Sequence, residues 1–298
     1  MENKYAQLLL DEQIFLLTTA KNKTNLNWTK FAEKLGVKKA LIFAYTKGTK
    51  MPFSLFKLLC ETAELNATNF KFGVIILNNQ PREVTIPISI SADLSEFVGV
   101  LAGDGHVSCL KFQIDICGHH LQDKEYIEYH VEKLFHILFK TIPLRGNRPG
   151  VVYRRIHSKQ VVNYLVKTFN IPVGKKKGKL RIPLVIFENK LFLAAYIRGL
   201  FDTDGSIYRH HKNSVALDIT SLSPDFRIDV KNALADLGFH AVINGKNIQM
   251  YRQKEIHEFF KVIKPANQKH LKKYCFFNIN GFLPKSTEFF NQTNINTI

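Results

Sequence analysis

The chain reads as an α+β protein: a small all-α domain followed by two pseudo-symmetric αββαββα halves. Three observations predict this. The first is a pair of similar apolar segments, Leu94 to Gly105 and Ala194 to Gly205, each ending in Asp-Gly, with Asp104 and Asp204 100 residues apart. The second is that the same order of sequence signals follows both segments. The third is a helix-period pattern, broken by glycine turns, in the first 70 or so residues.

At 298 residues, with 45% hydrophobic and 22% charged side chains, the chain can build two or three cored domains. Cys60, Cys109, Cys117 and Cys275 form no C-x-x-C pair, which argues against a zinc cage or disulfide framework. No apolar stretch reaches the roughly 20 residues of a membrane span, and Met1 to Tyr5 lacks a signal-peptide layout, so a cytoplasmic location is expected. The formal net charge of +17 points to a polyanionic partner.

Residues 1–77 form the first expected domain. Leu8 to Leu17 has helical spacing, Asn27 is a candidate N-cap, and Gly36 marks a turn between short helices. Ala32, Gly36, Val37, Ile42 and Tyr45 stand where a helix-turn-helix needs a small residue, a turn and apolar anchors. The pattern resembles phage-repressor-type helix-turn-helix domains. Lys38, Lys39, Lys47 and Lys50 would then face a duplex, mostly at phosphates. Residues 78–91, with Pro81 and Pro87, read as a linker or edge strand.

The repeats are placed at 92–187 and 188–298. After each Asp-Gly comes a strand-like stretch, 107–117 and 206–221, then a helix, 123–139 and 224–237. Two strand signals around a turn follow, then a closing helix at 159–169 and 253–263. A proline and a lysine cluster end each copy: Pro172 with Lys175, Lys176, Lys177 and Lys179, and Pro265 with Lys269, Lys272 and Lys273. Phe135, Phe139, Phe259 and Phe260 fall at core-facing helical spacings.

A lone Asp-Gly usually closes a hairpin or a helix. Two matched copies, each with a glycine five residues earlier (Gly99 and Gly199), suggest helices packed closely at those glycines. Glycine inside a helix costs roughly 1 kcal/mol against alanine, so close approach explains its use. Packed that way, the helices bring Asp104 and Asp204 together. Two carboxylates at helix C-termini repel each other and favour a cation such as Mg²⁺, with Mn²⁺ as an alternative.

These paired motifs resemble the LAGLIDADG homing endonucleases in their single-chain, two-motif form, over roughly residues 92–275. The resemblance implies a monomer whose two antiparallel sheets form a saddle over double-stranded DNA, with one phosphodiester hydrolysed per strand. Asp104 and Asp204 would be the metal-binding catalytic acids, with Gly103 and Thr203 beside them in the metal set, and Gly99 and Gly199 the packing glycines. Strand contacts to DNA would come from Ser108, Lys111, Gln113, Asp115 and Arg154, and from Arg209, His210, Lys212, Asp218 and Arg252. Ala102 stands in the first motif where the second has Asp202. The cation that members often place after the second strand has His119 or His120 as its candidate in the first half. The second half has Ser221-Leu222-Ser223 there, so slower cutting of one strand is expected. Lys177 and Lys269 are further candidates for that cation. His210 and His211 point to opposite strand faces and are read as DNA-contacting or exposed. Two other readings remain open: a non-catalytic DNA-binding transcriptional regulator on the same scaffold, and RNA as partner, since basic charge serves both nucleic acids. Met1 and the Thr297-Ile298 end carry no splicing junction, so a free-standing product is expected over one excised from a host protein.

Overall fold

The computed structural model describes residues 4–70, 74–77 and 84–284. The chain divides into two compact units, Met1–Ile90 with Phe135–Thr141, and Ser91–Leu134 with Ile142–Ile298.

Among the described residues of Met1–Ile90 run the α-helices α1 (Leu10–Thr24), α2 (Trp28–Lys34), α3 (Lys39–Tyr45) and α4 (Phe53–Ala63). Asn27 caps α2, its side chain accepting from the Thr29 and Lys30 amides at 3.1 and 3.0 Å. Gly36, at φ +66°, turns the chain into α3. Ala32, Ile42 and Tyr45 are buried with Leu16, Leu17, Phe31, Phe56 and Leu59. The fully buried Gln13 ties α1 to the end of α3, its amide donating to Tyr45 O at 2.6 Å and Thr49 O at 2.8 Å.

The unit is not all-α. Strands β1 (Lys4–Gln7), β2 (Met51–Pro52), β3 (Val74–Leu77) and β4 (Val84–Pro87) make an antiparallel sheet in the order β2-β1-β3-β4. Residues 84–87 of the expected linker are thus its edge strand, with Pro87 at the edge where a missing amide does no harm. Residues 78–83 lie outside the described residues.

The first repeat runs α5 (Ala92–Ala102), β5 (Gly105–Ser108), β6 (Gln113–His119), and a π-helical turn (Tyr126–Val131) leading into α6 (Glu132–Phe139), whose residues from Phe135 on belong to the first unit. It continues through β7 (Leu144–Arg148), β8 (Val151–His157) and α7 (Lys159–Phe169). A short helix, α8 (Leu184–Phe187), leads to the second repeat. That repeat is α9 (Lys190–Asp204), β9 (Gly205–His211), β10 (Ser214–Thr220), α10 (Pro224–Asp236), β11 (Val242–Asn244), β12 (Asn247–Met250) and α11 (Gln253–Val262). A final helix, α12 (Gln268–Asn280), follows. The sheets, β5-β6-β8-β7 and β9-β10-β12-β11, are antiparallel and share one strand order, so the repeated signals mark a repeated topology.

One face of each sheet is apolar and buried: Ile114, Ile116, Val152 and Ile156 in the first, Ile207, Leu217, Ile219, Ile248 and Met250 in the second. The alternate residues lie on the opposite face.

Candidate active site

Ser91 and Asn189 start the two motif helices by capping them, accepting from the Leu94 amide at 3.1 Å and the Leu191 amide at 2.8 Å. The helices then meet backbone to backbone. A Cβ on Gly99 would lie 2.1 Å from Tyr196 O, and one on Gly199 would lie 2.1 Å from Glu96 O. Glu96, 2% exposed, bridges the helices through Arg198 at 3.4 Å and also bonds His130.

The C-terminal ends of α5 and α9 converge. A Cβ on Gly103 would lie 2.0 Å from Thr203 Oγ1 and 3.5 Å from the Asp204 carboxyl carbon. Burial, then the nearby Asp204 charge, pushes the Asp104 carboxyl up to about 7. Burial likewise pushes Asp204 up to about 6, against the pull of Lys176 and Lys269. Each half therefore delivers one strained acid to a common place.

Two lysines stand over this pair. Lys176 Nζ donates to Leu101 O at 3.1 Å, to Ala102 O at 3.0 Å and to Gly103 O, and burial lowers its pKa. Lys269 Nζ donates to Thr203 O at 3.4 Å and pairs with Asp123 Oδ1 at 2.9 Å. Each ammonium thus rests on the carbonyl that precedes its own repeat's aspartate, where the helix dipole is negative. Lys177 is exposed; its neighbour Lys176 is the residue that reaches the acids. The lysine cluster was visible in the sequence, but which member turns inward depends on the chain path after Pro172.

Asp202 is wholly buried and accepts from the Ala266 and Asn267 amides at 2.8 and 3.0 Å, which fixes the start of α12 and so places Lys269. Asn267 continues the link, donating to Asp123 Oδ1 at 2.9 Å and Asp202 O at 2.8 Å. Asp123, Asn267 and Lys176 were not singled out from the sequence. The match of Asp123 with Ser223, 100 residues apart like the aspartates, was the available signal.

Among the described residues no group of three or more His, Cys, Asp or Glu could hold a metal. The pair does fit a hard divalent cation: both donors are carboxylate oxygens, both carry raised pKa values, and each gains when a cation replaces its proton. The Gly103 and Thr203 carbonyls are occupied by lysine ammonium groups, and the Thr203 hydroxyl bonds its own helix at Gly199 O and Leu200 O. His119 is exposed at the end of β6, its Nδ1 accepting from the Leu121 and Gln122 amides.

On the outer face of the first sheet, Asp115 accepts from Gln113 and holds Arg155 through two bonds, and both Gln113 and Asp115 are 8% exposed. Arg148 and Arg155 each stack 5.0 Å from the Tyr153 ring. Arg154 is a correction. It is buried on the opposite face, paired to Glu132 at 2.8 Å and Glu128 at 3.9 Å. Arg155 takes the outward place, because one residue along a strand reverses the face. Ser108 is half-buried and Lys111 exposed.

The second sheet's outer face carries a network of aromatic and amide side chains. Gln249 donates to Tyr208 Oη at 2.9 Å and accepts from Tyr251, whose ring lies 4.7 Å from His210. Asp218 lies on this face, raised to about 6 by burial. Arg209, His210, Lys212 and Arg252 are exposed, Arg252 pairing with Glu255 at 3.0 Å. In the first unit Lys38, Lys39 and Lys47 are exposed, and Lys50 sits 5.7 Å from the Tyr5 ring. No helix among the described residues is long and apolar enough to cross a membrane.

Comparison with known proteins gives the following. Residues 191–264, spanning α9 to α11, match the LAGLIDADG-like domain. The NrdEB subunit alpha of ribonucleoside-diphosphate reductase from Bacillus subtilis (strain 168) is 27% identical over 173 residues, covering 52% of this chain and 15% of that protein. The chain therefore spans a small part of that relative's length. The fold is similar to the homing endonuclease I-DmoI, crystallised with DNA and Mn, at TM-score 0.45 and 15% identity, over 59% of this chain and 97% of that one. It is also similar to the N-terminal LAGLIDADG domain of DUF199/WhiA, at TM-score 0.38 and 14% identity, over 60% and 84% of the two chains.

Proposed function

We propose that this protein is a divalent-metal-dependent, site-specific endonuclease of double-stranded DNA that cleaves one phosphodiester in each strand. The observation that carries this reading is the meeting of Asp104 and Asp204, both pushed well above the ordinary carboxylate range, with Lys176 and Lys269 standing over them. A buried pair of like charges costs stability, and a structural role gives no return for it.

Asp104 and Asp204 would hold Mg²⁺, or Mn²⁺ in its place. When bound, such an ion makes water a nucleophile near neutral pH and offsets charge on phosphate oxygens. The chain supplies the rest. The motif helices fix the two carboxylates, and Lys176 and Lys269 put positive charge beside the two scissile phosphates. The twin sheets, with Arg148, Arg155, Tyr208 and Tyr251 outward, offer a surface for duplex grooves. The helix-turn-helix lysines would add contacts to flanking DNA. Purified protein with Mg²⁺ is expected to cut or nick a sequence drawn from a randomised duplex library. Asp104→Asn and Asp204→Asn should each abolish cutting while binding persists; undiminished cutting in both overturns the assignment.

A DNA-binding regulator without catalysis is the second reading. It is favoured by the two ammonium groups, which already balance the acids and occupy the carbonyls beside them. Tight duplex binding with no cleavage in Mg²⁺ or Mn²⁺ would select it. RNA binding is separated from both by comparing affinities for duplex DNA and RNA at matched salt.

A further inference from the structure

The two halves are alike in topology and unlike at one position beside the acids. Asp123 and Ser223 are equivalent: each lies two strands beyond its Asp-Gly pair, and each carbonyl opens the following helix, accepting from Ile127 at 2.9 Å and Arg227 at 3.1 Å. Each side chain also reaches into the lysine segment of the other repeat. Ser223 Oγ accepts from the Gly178 amide at 2.8 Å, a neutral contact two residues past Lys176. Asp123 instead places a carboxylate on the lysine itself, Oδ1 at 2.9 Å from Lys269 Nζ. The carboxylate is held on both sides, by Asn267 Nδ2 and the His119 amide, each at 2.9 Å. Asp123 and Lys269 side chains are 11% and 15% exposed, so water screens the pair little.

We propose that Asp123 is a positioning residue that restrains and partly neutralises Lys269, so that the phosphodiester beside Lys176 is cleaved first and the one beside Lys269 more slowly. This rests on the endonuclease reading and adds to it an order of strand cleavage. In each hydrolysis the water oxygen bonds to phosphorus, one P–O ester bond breaks, and the leaving oxygen takes a proton that balances the one lost by water. Negative charge grows on the phosphate oxygens along the way. An ammonium already paired with a carboxylate stabilises that charge less than one bonded only to neutral carbonyls.

The test uses the full chain and its selected duplex, with a different label on each strand, under single-turnover conditions in Mg²⁺. Asp123→Asn preserves shape and removes the charge; Asp123→Ser copies the other half. The wild type should cut the strands at rates differing by about tenfold, and both variants should speed the slow strand by about that factor and leave the fast strand unchanged. A second readout needs neither metal nor cleavage: competitive acetylation followed by mass spectrometry. Lys269 should become more reactive relative to Lys176 in both variants. Equal strand rates in the wild type, or variants that slow both strands alike, overturn the proposal, as does unchanged labelling of Lys269. If the wild type cuts neither strand while Lys269 labelling rises in the variants, the restraint stands and the endonuclease reading with its strand order falls.

Discussion

The strongest local statement concerns Asp104 and Asp204. Burial pushes their carboxyls up to about 7 and about 6 in the folded chain, from an ordinary value of 3.8. Between those limits the folded chain binds more protons than the unfolded one. The stability these two groups contribute is therefore fully present below about pH 4 and is lost as pH rises through 6 to 7. Asp104→Asn should remove much of that decline and raise the melting temperature of the metal-free protein above neutral pH, measured by calorimetry across pH. A melting temperature lower than wild type at pH 8 would show that the acids are not under mutual strain. Cation uptake must displace the same protons, so affinity for Mg²⁺ should climb over this range. The two aspartates were legible in the sequence because they recur in matched settings. Lys176 was not, since adjacent lysines have identical chemistry and only the fold decides which one turns inward.

Among the elements, the motif helices are the least tolerant of change. Gly99→Ala or Gly199→Ala places a methyl group against a carbonyl of the facing helix at 2.1 Å, and neither backbone can retreat without parting the acids. Either change should cost about 3 kcal/mol or more, read from denaturant unfolding, and should abolish cleavage together with stability. Strand faces separate Arg154 from Arg155. Arg154→Ala removes a buried ion pair but leaves Glu132 its bonds to Arg145, and should destabilise by about 1–3 kcal/mol. Arg155→Ala leaves the 8% exposed Asp115 with Gln113 alone and should cost about 1–3 kcal/mol in stability while weakening duplex binding by about 1–3 kcal/mol, measured by titration of labelled DNA. Two consecutive arginines carry no polarity clue to the face, and only the strand pairing sets Arg155 beside Asp115 and Arg154 inward. The short helices of the first unit were visible through Ala32, Gly36, Ile42 and Tyr45. Of the sheet beside them only the β4 stretch was foreshadowed, as a linker or edge strand; β1 is four residues long and owes its extended form to pairing with β2 and β3.

For the whole molecule, the repeated strand order was readable from repeated signals, and the net charge of +17 pointed to a polyanion. The chemical difference between the halves was hidden, because it depends on pairings across strands: arginines around Tyr153 in one, a Tyr208-Gln249-Tyr251 network in the other. For the proposed endonuclease, the sequence selected from a randomised duplex library should have unlike half-sites. Duplex binding should weaken by about a thousandfold or more between about 50 and 200 mM salt, as multiple phosphate contacts require. A salt-independent affinity would remove the electrostatic basis for nucleic-acid binding. The most direct test of the central claim is a Mn²⁺ titration of the metal-free protein followed by electron paramagnetic resonance. Uptake at the carboxylate pair is predicted for the wild type and its loss in both Asp104→Asn and Asp204→Asn, with circular dichroism unchanged. Uptake as strong in both variants as in the wild type, or none in the wild type, would contradict a shared metal centre.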